Sequence, residues 1–218
     1  MSKAPRVNLQ TAWDIVEGLS TPSKMPGYSY NTPANRCKIG SLLRNVKGST
    51  CENCYAFERG RYGLKPVQDA LERRFKALGD PRWVDAMAEL INGFSDKYQS
   101  FRWHDSGDIQ SIDHLHNIVK VARLTPTVNH WLPTREYKIV SDYRKQFGEF
   151  PSNLVVRLSG HMVDQVPPIG YGLPVSSVTT KPTMQGAVKC EAKSRGGKCG
   201  PCRACWNPKV KHVAYPIH

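Results

Sequence analysis

Seven cysteines fall into two sets, and their spacing is the first chemical signal in the chain. Cys37, Cys51 and Cys54 are spaced C-x13-C-x2-C, and Cys54 runs directly into Tyr55 and Ala56. Three thiolates in one loop suit three corners of a [4Fe–4S] cluster, which leaves the fourth iron open to bind and activate a small molecule. Cys190, Cys199, Cys202 and Cys205 form a C-x8-C-x2-C-x2-C set among Lys189, Lys193, Arg195, Lys198, Arg203, Lys209 and Lys211. Four thiolates at this density mark a metal site. Two consecutive x2 gaps favour a second, closed iron–sulfur cluster; structural zinc, which usually separates two C-x2-C pairs by a longer loop, is the alternative. An odd number of cysteines does not pair completely within one chain, and metal suits a reducing compartment better than disulfides do.

Other reactive types gather where extended stretches give way to helical ones. In His104-Asp105-Ser106-Gly107-Asp108, Gly107 permits a tight turn and Asp108 or Ser111 is a candidate helix cap. Asp105 and Asp108 have the chemistry to accept hydrogen bonds from a ribose, an amino group or a reacting proton; capping with solvated acids is the plainer reading. Arg135, in Thr134-Arg135-Glu136, suits a carboxylate or phosphate, against the alternative of a surface ion pair. His161, after Ser159-Gly160, is a weaker candidate, and His114 and His116 read as structural residues on a helix.

These groups need a scaffold, and the apolar pattern supplies one. Strands are expected at 27–31, 100–104, 130–133, 153–158 and 174–178, with 213–215 as a sixth. Helices are expected over 9–19, 66–78, from the Asp80-Pro81 cap onward, 111–124 and 137–147. Alternating strand, polar turn and helix predicts an α/β fold: a partial, roughly six-stranded parallel β/α barrel or an open parallel sheet, with a cysteine-rich C-terminal tail. At 218 residues the chain is short for a full eightfold barrel of about 250. Residues 1–25 read as an N-terminal extension, 26–180 as the β/α core and 181–218 as the basic, cluster-binding tail. Either architecture puts chemistry at the carboxyl ends of the strands, where Cys37, Asp105, Asp108, Arg135 and His161 fall.

Lys and Arg number 31 against 18 Asp and Glu, a net charge of +13 that points to an anionic partner such as nucleic acid rather than to a membrane. No apolar run approaches the roughly 18 residues of a spanning helix, and no signal peptide is apparent, so a cytoplasmic location is expected.

Cys51-x2-Cys54-Tyr55 resembles the second half of the C-x3-C-x2-C motif of the radical S-adenosylmethionine superfamily, whose three cysteines follow the first strand of a partial barrel. The x13 gap after Cys37 departs from the first half. Taken with 101–108, 131–136 and the C-terminal cysteines, the chain from about Pro26 onward resembles a family of compact phage and bacterial proteins that look like radical SAM relatives. The resemblance implies S-adenosylmethionine as cofactor, an external electron donor and a 5′-deoxyadenosyl radical that abstracts hydrogen from substrate. It casts Asp105, Asp108 and Arg135 as catalytic, and Tyr55, His104, Ser106 and Gly107 as cofactor-binding. With the positive charge it implies modification, isomerisation included, of a base in phage DNA within the host cytoplasm. A second resemblance is to queuine-type guanine transglycosylases, through Asp105-Ser106-Gly107-Asp108-Ile109-Gln110, Leu132-Pro133-Thr134-Arg135 and a zinc set of Cys199, Cys202, Cys205 and His212. The close spacing of the two motifs and the unexplained first cysteine set depart from that family. A third class is a non-enzymatic, zinc-bound nucleic-acid adaptor.

The basic tail yields a direct test. If Lys193, Arg195, Lys198, Arg203 and Lys209 follow a phosphate backbone, changing three of them to Ala weakens DNA binding and flattens the log–log salt dependence by up to about three units. A salt titration of DNA affinity with an unchanged slope would place the anionic partner elsewhere.

Overall fold

The computed structural model describes residues 8–57, 60–95, 97–167, 169–182 and 184–217; Pro5, read above as part of the N-terminal extension, lies outside them. Seven strands form one sheet: β1 Ser29–Tyr30, β2 Ser100–Trp103, β3 Asn129–Thr134, β4 Leu154–Ser159, β5 Val175–Thr179, β6 Val188–Lys189 and β7 His212–Pro216. Their spatial order is β1-β2-β3-β4-β5-β7-β6 and every pairing is parallel. The two ends of the sheet do not pair with each other, so it is open and not closed into a barrel. The helices among the described residues are α1 Leu9–Val16, α2 Lys38–Leu43, α3 Lys65–Ala77, α4 Trp83–Gly93, α5 Ile112–Leu124 and α6 Tyr137–Phe147. None is long and apolar enough to cross a membrane.

From β1 to β5 the order advances without reversal, and right-handed crossovers then place the connecting helices on one face. The strand registers identify that face. Tyr30, Phe101, Trp103, Leu132, Val156, Leu158 and Val175 point to it and are buried. They share one apolar core with Trp83, Met87 and Leu90 of α4, Leu115 and Ile118 of α5, and Val140 and Tyr143 of α6.

The opposite face carries Arg102, Trp131, Pro133, Arg157, Ser159, Ser176 and Tyr215, because alternate residues of a strand point to opposite sides. Residues 181–218 both extend the sheet, through β6 and β7, and cover this face. Trp206 packs edge-on against Trp131 at 5.1 Å and donates from Nε1 to the Phe101 carbonyl at 2.9 Å.

Local signals explain most boundaries. Ser111 caps α5 by accepting the His114 amide at 3.1 Å, as its place before the helical pattern requires. Asp80 behaves differently: its carboxylate accepts the amide of Arg82 at 2.8 Å, a turn closed within three residues, and α4 begins at Trp83 with Arg82 as N-cap. The seventh strand, β6, is two exposed residues held by β7 and carries no apolar alternation to announce it.

His130 is fully buried and its tautomer follows from its neighbours. Trp103 Nε1, which only donates, lies 3.2 Å from His130 Nδ1, so the proton sits on Nε2 and is given to Thr125 Oγ1 at 2.8 Å. Burial lowers the pKa of His130 to about 3 and that of His114 to about 4, against an ordinary 6.5. Both pKa values are depressed on folding, so the stabilisation they link to is complete above pH 6.5 and is lost as pH falls from there towards 4 and 3. With His104 depressed in the same way and, among the described residues, only Asp108 opposing them below about pH 6, the midpoint of thermal unfolding should be level between about pH 7 and 8 and drop below about 6. A midpoint unchanged between pH 7 and 4.5 would contradict this assignment.

Candidate metal centre at the carboxyl edge of the sheet

All seven strands point their carboxyl ends the same way, and the first cysteine loop is tied to four of those ends. β1 leads into Asn31 and Thr32, which bind the loop after β2: Asn31 Oδ1 accepts the Asp105 amide at 2.6 Å, and Ser106 Oγ donates to the Thr32 carbonyl at 2.9 Å. Gly107 has φ 85°, and a Cβ there would meet Thr32 Oγ1 at 2.0 Å. Ser106 and Gly107 thus lock two loops together. Cys37 follows the 3-10 turn Ala34–Arg36 and opens α2, whose first turn is held from β3 by Glu136 Oε1 accepting the Ile39 amide at 2.9 Å. Thr50 fixes the other side of the loop on β4. Its amide donates to His161 O at 2.8 Å, its hydroxyl to Gly160 O at 3.0 Å, and its Oγ1 accepts Arg135 Nε at 3.0 Å.

The thiols of Cys37 and Cys51 converge on Gly40. A Cβ built on Gly40 would press on Cys37 Cβ at 2.9 Å and touch Cys37 Sγ and Cys51 Sγ at 3.7 and 3.8 Å, so glycine at this position leaves room for the Cys37 side chain. Cys54 completes the set one turn on, with its amide bonded to Cys51 O, and none of the three is in a disulfide. Burial pushes the Cys37 thiol far up, with Asp108 and the two neighbouring thiols adding to it; burial also raises Cys51, while Arg135 opposes the rise at both. Thiols held this way give up their protons when a cation takes the proton's place. As they stand, no three His, Cys, Asp or Glu among the described residues are close enough to hold one metal ion.

The acids expected to react are heavily engaged. Asp108 is buried, accepts Thr134 Oγ1 at 2.6 Å and the amides of Ile109 and Arg135 at 2.8 and 2.9 Å, and has its pKa raised to about 6 by burial. It binds the ends of β2 and β3 together and fixes Arg135. Asp105 forms an ion pair with Arg102 at 2.9 Å and accepts the hydroxyls of Tyr55 and Tyr62 at 3.2 and 3.1 Å. Tyr55 is therefore anchored at its tip while half its surface stays exposed beside Cys54. His104, at φ 56°, is buried on the helix side against His114 with ring centres 5.3 Å apart, and burial drives its pKa well down. His161 stacks on Tyr137 at 4.3 Å, with Nε2 3.3 Å from the Arg135 carbonyl.

The second cysteine set gathers over the opposite face of the sheet. The Cys190 amide bonds Ala214 O of β7, the Cys199 amide bonds Lys24 O, and Cys205 Sγ lies 3.1 Å from Tyr215 Oη. Burial, with the charges of Cys190 and Cys202, raises the Cys199 thiol, and burial, with the charge of Cys190, raises the Cys205 thiol. His212 projects from the other side of β7 and meets Ser177 Oγ at 2.9 Å. His212 thus lies on the face of β7 away from Tyr215 and Cys205.

The profile of the family described as GP88, Gene product 88, matches residues 6–208. The chain belongs to this family. The matched span includes all seven cysteines and stops short of β7. Neither a curated protein nor a solved structure matches the chain.

Several residues that build the GP88 site escaped sequence reasoning. Asn31, Gly40, Thr50 and Glu136 act through partners distant in the chain, and no local spacing reveals them. Arg102 and Arg157 did leave a signal: each is the lone charge within an otherwise apolar strand, in Ser100-Phe101-Arg102-Trp103 and Leu154-Val155-Val156-Arg157-Leu158.

Gly40→Ala tests the centre most directly. The added methyl would press on Cys37 Cβ and displace that side chain, so the sheet and its helices should persist while iron uptake by the first loop falls about tenfold or more. Circular dichroism together with iron analysis of a chain lacking the tail cysteines checks both parts.

Proposed function

We propose that this chain is a radical SAM-like iron–sulfur enzyme that modifies a nucleic-acid base or a group attached to it, with base isomerisation in phage DNA as the leading case. One observation carries the reading. Cys37, Cys51 and Cys54 are free thiols in one loop tied to the carboxyl ends of four parallel strands, with the Cys37 and Cys51 thiols both beside Gly40. A site anchored on so many strand ends serves chemistry better than mere cross-linking. Bound there, a [4Fe–4S] cluster would supply an open iron for S-adenosylmethionine and the electron for its reductive cleavage.

The chain's own residues then have definite tasks. Arg135, fixed through Nε by Thr50 and facing the thiols, suits the carboxylate or a phosphate of a bound ligand. The exposed ring of Tyr55 offers a stacking surface for a base, its hydroxyl held by Asp105. Asp105 and Asp108 position these two groups. Lys193, Lys198, Arg203 and Lys209 are exposed and suit a phosphate backbone. Cys190, Cys199, Cys202 and Cys205 would hold a second cluster, with zinc as the alternative. The electron comes from an external donor, and the reduced thiols suit the cytoplasm.

The transglycosylase-like alternative needs a carboxylate free to attack a sugar. The engagement of both Asp105 and Asp108, with His212 outside the cysteine group, weighs against it.

Anaerobic reconstitution separates the classes. The enzyme reading expects about eight irons per chain, slow S-adenosylmethionine cleavage with dithionite, and loss of that cleavage in Cys54→Ala with the tail site still filled. Asp105→Asn should keep slow cofactor cleavage while base turnover falls further. Stoichiometric zinc without a brown chromophore would end the proposal, and incorporation of labelled guanine into DNA without S-adenosylmethionine would establish base exchange.

A further inference from the structure

Arg157 has no exposed surface, and no carboxylate is bonded to it among the described residues. Its Nη1 donates to Val175 O at 3.0 Å, and its Nη2 to Ala204 O at 3.2 Å and Val210 O at 3.1 Å, carbonyls on both sides of Cys205. Its Nε is buried without a partner. The ionisable groups within its electrostatic reach are Tyr215, Cys205 and His212, the last on the other side of β7. Arg102, two strands away on the same face, is paired with Asp105, lies 4.4 Å above the Trp131 ring and also has a buried, unpartnered Nε. It too faces Tyr215 and Cys205, and Cys199 senses it. A buried guanidinium left without a counter-charge is strongly unfavourable. Four thiolates on one divalent ion, or on an all-cysteine cluster, carry a net negative charge that would meet this need.

We propose that Arg157 and Arg102 are the counter-ions of an anionic thiolate–metal centre formed by Cys190, Cys199, Cys202 and Cys205, and act as positioning residues for it. The inference rests on reading those four cysteines as a metal site. Arg157 supplies charge from beneath and, through its carbonyl bonds, shapes the turn that presents Cys205. Arg102 divides its charge between this centre and Asp105, whose carboxylate holds Tyr55 next to Cys54.

Charge and hydrogen bonding are separable by substitution. In the full-length chain carrying Cys37→Ser, Cys51→Ser and Cys54→Ser, thiolate-to-cobalt absorbance reports the tail alone, and competition with Zn2+ gives affinity. Arg157→Gln and Arg102→Gln remove the charge but keep a donor, whereas Arg157→Lys and Arg102→Lys keep the charge. The Gln variants should bind Co2+ and Zn2+ about 10–100-fold more weakly, and the Lys variants within about threefold of the parent. Equal weakening by Gln and Lys would reduce both arginines to hydrogen-bonding roles and overturn the inference, as would unchanged affinity in all four. Absence of thiolate–cobalt absorbance in the parent chain would remove the metal reading of the tail itself. If the Arg157 variants fail to fold by circular dichroism, the Arg102 pair decides by the same comparison.

Discussion

The carboxylate of Asp108 is the constraint on which the carboxyl edge of the sheet depends. It gathers a side-chain hydroxyl and two amides from the ends of β2 and β3, and its charge lies near Cys37. Three hydrogen bonds offset much of the cost of burying an acid, and burial still prevails enough to lift its pKa. With Thr134 and Arg135 fixed this way, Arg135 reaches Thr50 and Glu136 reaches α2. One buried group thus sets the position of both flanks of the first cysteine loop. The loop has little burial of its own, since Leu42, Val46 and Tyr55 are exposed, and its shape comes from the strand ends around it.

The two faces of the sheet solve different problems. The helix side is a conventional apolar core in which aromatic rings and branched side chains interlock. The other face has two arginines, two serines and a tyrosine, and a cysteine-rich segment supplies carbonyls, an indole and thiols to them in place of a helix. Residues 181–218 are therefore needed to bury half of the sheet, whatever their metal chemistry.

Much of this was legible in the sequence where the signal is local. The bounds 137–147 for α6, the Ser111 cap of α5 and the strands expected at 130–133 and 153–158 follow from periodicity, capping and residue type, and they hold in the structure to within a residue at each end. Cysteine spacing marked both thiol groups because each set is confined to a short span. What stayed hidden depends on long-range pairing. β6 exists because β7 holds it, and Glu136, at the end of β3, meets Ile39, 97 residues earlier in the chain. The burial of His104 and Asp108 was hidden for the same reason, because the residues that cover them are distant in the chain or on other elements. The turn at Asp80 is a smaller case, in which a side chain satisfied an amide one residue earlier than the helix needed it.

The order β5-β7-β6 has a consequence for biosynthesis. β7 is made after β6 but occupies the place beside β5. Until residues 212–216 emerge, β5 presents an unpaired parallel edge and Arg157 lies on an uncovered face. At ordinary elongation rates that interval lasts roughly two to seven seconds. Open edges of this kind template pairing with other chains, so the nascent protein passes through an aggregation-prone stage fixed by its topology. The rim of β5 before that moment is where a holdase chaperone would find its substrate.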